Sequence, residues 1–128
     1  MKERLLELLE NSYAPYSHFR VAAIVVMKDG QAFSGVNVEN ASYGATICAE
    51  RSAIVSAVSS GYRKDDFKEL YVMVDSERLS TCCFMCRQVI QEFMCPDCEI
   101  VCMNCLGDEK RFRVSEMCPF PFSEEDLK

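Results

Sequence analysis

The chain has 128 residues, of which 49% are hydrophobic, and carries a formal net charge of -6 with a sequence pI near 4.8. This length and composition predict one globular domain spanning residues 1–128 and exclude a disordered or low-complexity protein. The acidic balance also argues against a nucleic-acid partner, which normally requires clustered Lys and Arg.

The N-terminal segment MKERLLELLE has the pattern of a short amphipathic helix, with leucines interspersed among charged residues. It lacks the uninterrupted apolar run of a signal peptide or a membrane span, so we expect a cytoplasmic protein with no membrane partner. In a reducing compartment, the nine cysteines are metal ligands, reactive thiols or small buried residues rather than disulfides.

The first half of the chain predicts a hairpin followed by a helix. The apolar run Val21–Met27 predicts a buried strand, residues 28–30 form a D-G type turn, and residues 31–38 predict the returning strand. Apolar residues at helical spacing predict a helix over Cys48–Ser60, which Gly61 ends.

The second half repeats the alternation of strand and helix. We predict a strand over Leu70–Val74 and a helix over Cys83–Phe93. Two short strands over Glu99–Met103 and Arg111–Val114 follow, and prolines then mark an extended tail. Five strands and three main helices indicate a layered α/β domain.

Three cysteines have spacing suited to a metal ion. Cys83 and Cys86 are three residues apart at the start of a predicted helix, so their side chains share one face. Cys48 stands at the start of another predicted helix, where the helix dipole favours a thiolate. From spacing alone, these residues are either metal ligands or buried thiols. Three ligands would leave the fourth tetrahedral position of zinc free for water.

Two charged residues beside Cys48 would complete such a site. Glu50, in the first turn of the same predicted helix, can carry protons without binding the metal, although an acid at that position is also common for dipole reasons alone. Arg51 can donate to a ligand sulfur and offset the negative charge of three thiolates.

Four motifs in chain order together resemble the cytidine deaminase family, in its short, three-cysteine, homotetrameric branch. They are A-P-Y-S-H-F, G-V-N-V-E-N-A-S-Y, C-A-E-R and C-C-F-M-C-R-Q-V-I, and the resemblance extends from about Tyr13 to Leu127. It implies a three-layer α/β/α domain with a mixed five-stranded sheet.

The resemblance also implies roles for particular residues. Cys48, Cys83 and Cys86 would hold one Zn²⁺ per subunit, and Glu50 would be the catalytic acid and base. The implied reaction is hydrolytic deamination of cytidine and 2'-deoxycytidine at C4, which gives ammonia and uridine or 2'-deoxyuridine in pyrimidine salvage.

The same resemblance implies a set of substrate contacts. Asn37 and Glu39 would hold the ribose 3'-hydroxyl, and Phe19 would pack against the pyrimidine. Tyr43 and Phe122 would enter the site of a neighbouring subunit, so that a homotetramer with shared sites would be required for catalysis.

One departure from the family pattern leaves the substrate open. Phe84 and Met85 stand between the two ligand cysteines where the family usually has Gly-Ala, so we expect bulky side chains beside the pocket. The extra thiol of Cys82 could compete with Cys83 for the metal. The alternatives are therefore a deaminase of another aminated nucleoside, such as blasticidin S, or a catalytically silent, zinc-stabilised assembly protein.

A second cysteine-rich segment, residues 94–105, contains two further C-x-x-C pairs. Only three residues separate these pairs, far fewer than the roughly 15–20 of a zinc ribbon. Alternation along a strand would place Cys98 and Cys102 on one face and Cys105 on the other. We therefore expect packing residues, with a second metal site of Cys95, Cys98, Cys102 and Cys105 as the alternative.

Overall fold

The computed structural model describes all 128 residues and contains four helices and five strands. The helices are α1 (Lys2–Leu9), α2 (Ala49–Ser59), α3 (Phe84–Phe93) and α4 (Val114–Met117). The strands are β1 (Val21–Met27), β2 (Ala32–Val36), β3 (Phe67–Val74), β4 (Glu99–Met103) and β5 (Glu109–Arg113). No helix is long and apolar enough to span a membrane.

The strands form one mixed sheet in the order β2-β1-β3-β4-β5. Only β3 and β4 run parallel, with Val72 paired to Cys102, and α3 is the crossover between them. The other neighbours are antiparallel; Ile24 in the middle of β1, for example, pairs with Ser34 on one side and Tyr71 on the other.

Helices cover both faces of this sheet, which confirms the predicted three-layer α/β/α arrangement. Alternate residues of β1 separate the two cores: Ala23 and Val25 face α2 and α3, whereas Ala22 and Ile24 face α1. Each core is continuous and apolar, as two-sided burial of a sheet requires.

The hairpin turn and the end of α2 occur where the sequence predicts them. Gly30 and Gly61 both have positive φ, +92° and +102°, which only glycine adopts without strain. The amide of Gly30 donates to the carbonyl of Met27, and the amide of Gly61 donates to that of Val58.

Gly35 sets the distance between β2 and α2. A Cβ atom at Gly35 would lie 2.5 Å from the amide nitrogen of Ala53 and 2.6 Å from the carbonyl oxygen of Ala49. Because both atoms belong to the α2 backbone, only glycine allows this close approach. The start of α2, which carries the predicted site residues, is thereby held against the sheet.

Several boundaries differ from the prediction. Strand β3 begins at Phe67, three residues earlier than predicted, because Phe67 is buried while its charged neighbour Lys68 faces solvent. Val114 is not the end of β5 but the first residue of α4, a single turn in which Glu116 accepts a hydrogen bond from the Arg113 amide. The tail is not simply extended: residues 118–120 form a bend in which Phe120 has a φ of 53°, and residues 124–127 form a 3₁₀ turn.

Candidate active site

A pocket of about 240 Å³ opens at the end of the sheet where β3 finishes and α2 and α3 begin. Ligand crevices in α/β folds commonly lie beyond the carboxyl ends of the strands, and the parallel pair β3–β4 follows that rule. Among the predicted site residues, those that line the pocket are Phe19, Asn37, Glu39, Cys48, Glu50 and Cys83.

Two helix starts deliver the three predicted ligand cysteines. Cys48 is the N-cap of α2 and Cys83 is the N-cap of α3, both with extended backbone. The Cys83 sulfur accepts the amide of Cys86 at 3.4 Å, which satisfies one free amide of the first turn of α3. Cys86 lies in that turn, three residues on, and is buried.

The three sulfurs converge on one point. The Cys48 and Cys83 sulfurs are 3.8 Å apart, the Cys83 and Cys86 sulfurs are 3.3 Å apart, and all three lie within 4.8 Å of one another. Thiolates bound tetrahedrally to zinc at about 2.3 Å lie about 3.8 Å from each other. The cluster therefore fits a zinc ion with three protein ligands.

Arg51 brings positive charge to this cluster. Its Nη2 atom donates to the Cys48 sulfur at 3.5 Å, while its buried Nε atom has no partner. Hydrogen bonds from Cys86 and then Arg51 lower the pKa of Cys48 to about 5. The Cys86 thiol, which donates to Cys48 and is buried, has its pKa raised. One thiolate is therefore favoured even before a metal binds.

Glu50 is buried in the first turn of α2, with a side chain only 5% exposed, and it lines the pocket. Burial raises the pKa of its carboxyl group, because a low-dielectric environment disfavours the charged form. A buried carboxyl group beside three converging sulfurs, with no cation paired to it, is a candidate proton carrier.

The extra thiol, Cys82, does not join the metal cluster. It is 2% exposed and hydrogen-bonded to Cys102, and this contact together with burial raises its pKa well above that of an ordinary thiol. Its side chain also faces Glu50 from the core side. Cys82 is therefore not placed to compete with Cys83 for the metal, contrary to the expectation from the sequence.

Asn37 both lines the pocket and joins two loops. Its Oδ1 atom accepts from the Val21 amide at 2.9 Å and from the Ser12 hydroxyl, and its Nδ2 atom donates to the Phe19 carbonyl at 2.8 Å. Both lone-pair positions of Oδ1 are thus used, but one N–H of the amide remains free.

Glu39 has a similar double role. One carboxylate oxygen accepts the backbone amides of Tyr16 and Ser17 at 3.0 and 3.1 Å, and the other accepts the Ser17 hydroxyl. These hydrogen bonds, first of all that of the Ser17 hydroxyl, lower the pKa of Glu39. A carboxylate offers about four acceptor positions, so one remains for a ligand hydroxyl.

The three predicted aromatic contacts lie in different places. Phe19 forms part of the pocket wall and is 42% exposed. Tyr43 lies outside this pocket and packs edge-to-face against Tyr16, and Phe122 is on the C-terminal tail, where its carbonyl accepts from Gln88. Tyr43 and Phe122 are 77% and 58% exposed, so one chain does not bring them into its own pocket.

The sequence led us to expect that Phe84 and Met85 would crowd the pocket, but they do not. They are 79% and 65% exposed, and neither lines the pocket. Positions 84 and 85 are rotated on α3 by about 100° and 200° from Cys83, so the helix directs them away from the ligand face. Phe84 instead packs under the guanidinium of Arg87, 4.4 Å from its ring centre.

Arg87 is a site-supporting residue that the sequence analysis missed. Its guanidinium donates to the Cys82 carbonyl at 2.7 Å, the Met117 carbonyl at 2.9 Å and the Thr81 hydroxyl at 3.0 Å. It thereby joins the loop before Cys83 to α4. Its position directly after Cys86 was the available signal, but nothing in the spacing identifies the distant carbonyl of Met117.

The cysteine-rich segment 94–105 does not form a second cluster of three or more metal-binding groups. Cys98, Ile100 and Cys102 face the core beneath α2 and α3, as predicted. Cys105 lies beyond the end of β4, so the predicted alternation does not extend to it. The Cys95 and Cys98 sulfurs are in contact at 2.8 Å.

Residues 1–103 match the family model described as the cytidine and deoxycytidylate deaminase zinc-binding region. A cytidine deaminase from Halalkalibacterium halodurans is 42% identical over 122 residues, which cover 95% of this chain and 91% of that protein. A probable cytidine deaminase from Dictyostelium discoideum is 44% identical over 132 residues, covering 98% and 86% of the two chains. The crystal structure of cytidine deaminase from Burkholderia pseudomallei superposes with a TM-score of 0.90 at 41% identity and covers 94% of both chains.

Proposed function

The chain belongs to the family of cytidine and deoxycytidylate deaminases, and from this premise we propose that it hydrolyses cytidine and 2'-deoxycytidine to uridine and 2'-deoxyuridine, with release of ammonia. The observation that carries the proposal is a buried glutamate, Glu50, in the same pocket as a cluster of three cysteine sulfurs. One zinc ion per subunit agrees with both the family and this cluster.

Cys48, Cys83 and Cys86 would hold the zinc ion. When bound, zinc would lower the pKa of a water molecule enough to supply a nucleophile at neutral pH. Three thiolates on a divalent ion leave a net charge of about minus one, and Arg51 offsets this charge through its contact with Cys48.

Glu50 would carry the protons of the reaction. Burial raises its pKa, which makes the carboxylate a stronger base than that of an exposed glutamate. It would accept one proton from the attacking water and deliver it to N3 of the cytosine ring. It would then accept the second proton, from the hydroxyl now on C4, and deliver it to the amine as the C4–N bond breaks. Its burial keeps competing solvent away during these transfers.

Asn37 and Glu39 would bind a hydroxyl of the ribose. The free N–H of Asn37 can donate to the sugar oxygen, while the remaining acceptor position of Glu39 can take the hydroxyl proton. A sugar hydroxyl both donates and accepts, so the two residues are complementary to it. This complementarity supports a ribosyl substrate.

Aromatic residues would enclose the base, and some of them would come from another subunit. Phe19 lies in the pocket wall and can pack against the pyrimidine. Tyr43 and Phe122 are exposed and lie outside their own pocket, which supports the proposal that they reach a neighbouring site in a homotetramer.

The remaining features agree with a small-molecule enzyme acting in the cytoplasm as one domain, residues 1–128. All nine cysteines are free, which suits a reducing compartment. The net charge of -6 does not favour binding to a phosphate backbone.

Ammonia release by purified, zinc-loaded protein tests the proposal. Parent protein should release ammonia from cytidine and deoxycytidine, whereas Glu50→Gln should retain zinc and lose about 10²–10⁴-fold in kcat. Glu3→Gln is the matched control, because Glu3 also lies in the first turn of a helix but is far from the pocket, and it should act as the parent does.

Blasticidin S is assayed beside cytidine with the same preparations. A zinc-loaded parent that releases ammonia from blasticidin S alone would move the assignment to that substrate. Zinc binding without turnover of any of these compounds would favour the silent assembly protein.

A further inference from the structure

Cys95 and Cys98 are a pair of thiols that the proposed function does not use. They flank the turn that joins α3 to β4, which is closed by a hydrogen bond of 3.0 Å from the Cys98 amide to the Cys95 carbonyl. Their sulfurs are 2.8 Å apart. In the metal cluster, the Cys83 and Cys86 sulfurs are 3.3 Å apart and the Cys48 and Cys83 sulfurs are 3.8 Å apart. Little movement would therefore be needed for the Cys95 and Cys98 sulfurs to react with each other.

The two thiols differ in their access to solvent. Cys95 is partly exposed, whereas Cys98 is 8% exposed and directs its sulfur towards the Phe67 carbonyl at 3.6 Å. Both line an open groove of about 300 Å³ whose charged residues are Lys28, Lys68, Glu69, Asp97 and Glu99. A small reagent entering the groove therefore reaches Cys95 first.

Cys98 is the buried member of the pair, and its thiol is difficult to ionise. Burial, and then the contact with Cys95, raise the pKa of Cys98 to about 11. Its sulfur can donate to the Phe67 carbonyl, and in the contact with Cys95 either sulfur can be the donor. This difference in exposure gives Cys95 the role of attacking group and Cys98 the role of second reactant.

We propose that Cys95 and Cys98 form a dithiol site that a hydroperoxide oxidises to an intramolecular disulfide. The Cys95 sulfur attacks one oxygen of hydrogen peroxide, the O–O bond breaks, and Cys95 becomes a sulfenic acid as one water leaves. The Cys98 sulfur then attacks the Cys95 sulfur, the S–O bond breaks, and the hydroxyl leaves as a second water with the Cys98 proton. Two thiols lose two electrons in total, and the peroxide gains them.

This site is separate from the metal centre. Helix α3 begins at the metal cluster and ends beside Cys95, and its ten residues span about 15 Å. Because Cys48, Cys83 and Cys86 lie at the other end of this helix, the disulfide can form while zinc stays bound. The inference therefore does not depend on the proposed deaminase activity.

A pair of proteases makes the disulfide directly visible. Trypsin cuts after Arg87, and a protease that cuts before aspartate separates Cys95 from Cys98 at Asp97. After oxidation and alkylation of the remaining thiols, fragments 88–96 and 97–107 stay joined only if Cys95 is bonded across the cut.

Zinc-loaded protein is treated with one equivalent of hydrogen peroxide and analysed by mass spectrometry, with zinc content measured in parallel. We expect joined fragments with loss of two hydrogens, reversal by dithiothreitol, and unchanged zinc content. Cys98→Ser should leave Cys95 as a sulfenic acid that dimedone traps, and Cys95→Ser should leave Cys98 reduced.

Cys105→Ser is the matched control, since Cys105 is also partly exposed but has no sulfur in contact, and the joined fragments should still form. Two outcomes would overturn the inference. One is oxidation of Cys95 no faster than that of Cys105 and Cys118 in the parent protein. The other is joined fragments in the Cys98→Ser variant, which would mean that Cys95 pairs with another cysteine.

Discussion

The two cysteine-rich parts of this chain share one spacing but differ in what their backbone does with it. Cys83 and Cys86 occupy the N-cap and first turn of α3, whereas Cys95 and Cys98 flank a turn that leads into β4. The first pair receives a third sulfur, from Cys48 at the start of α2, and the second pair receives none. A C-x-x-C spacing therefore identifies two sulfurs that can meet, and the topology around them decides whether they bind a metal.

The surroundings of the two parts differ in charge as well. Arg51 donates to the metal cluster and lowers the cost of gathering several thiolates at one point. In segment 94–105, Cys98 and Cys102 instead lie in the apolar core beneath α2 and α3. There Cys102 packs as a small apolar group, as buried free cysteine commonly does.

The strongest test of this comparison removes one buried cysteine from each part. Cys86→Ala should abolish stable zinc binding, because two sulfurs cannot replace the three that converge. Cys102→Ala, the same change at an equally buried thiol, should keep one zinc per chain and lower the free energy of unfolding by only about 1 kcal/mol. Zinc content after dialysis against a chelator distinguishes the two variants. Zinc loss from the Cys102 variant would contradict the conclusion that segment 94–105 has no part in metal binding.

A smaller effect is expected from the charge that supports the metal cluster. Arg51→Leu should weaken zinc binding by about 10–100-fold, since the thiolates lose a donor and a positive charge. Arg111→Leu makes the same change on exposed strand β5, where the arginine pairs with Glu99, and should leave zinc affinity unaltered. Competition with a chromophoric chelator measures the zinc affinity of both variants. Equal affinities would mean that Arg51 does not support zinc binding.

An effect of similar free energy concerns the backbone that holds α2 in place. Gly35→Ala should lower the free energy of unfolding by about 1–3 kcal/mol, because the new Cβ would overlap the α2 backbone. Gly44→Ala introduces the same methyl group where no atom lies within 4 Å and should be close to neutral. Denaturant unfolding compares the free energies of unfolding of the two variants. An unchanged value for Gly35→Ala would mean that α2 can shift away from β2 without loss of stability.

Local signals in the sequence account for most of the fold and of the metal cluster. Cys48 and Cys83 are the predicted helix starts, and Gly30 and Gly61 mark the predicted turn and helix end. Each of these features depends on a few neighbouring residues, which a single sequence displays. The outward direction of Phe84 also follows from helix geometry, although the family comparison drew attention to its bulk instead.

The features that the sequence did not predict depend on contacts between distant segments. The burial of Cys82 against Cys102 and the three hydrogen bonds of Arg87 arise only when the loops and core are assembled. Helix α4 is a single turn, too short for any periodicity to appear in the sequence. The proposed partners of Tyr43 and Phe122 would belong to another subunit.

The delivery of metal ligands by two separate helix starts ties zinc to the folding equilibrium. Cys48 and Cys83 are 35 residues apart in the chain, and they meet only when α2 and α3 are both docked on the same face of the sheet. An unfolded chain cannot offer the three sulfurs at one point, so part of the free energy of zinc binding becomes free energy of folding. At a free zinc concentration of about 100 times the dissociation constant, this linkage adds about 2.7 kcal/mol to stability. Zinc supply would then set how much of the chain is folded, independently of turnover.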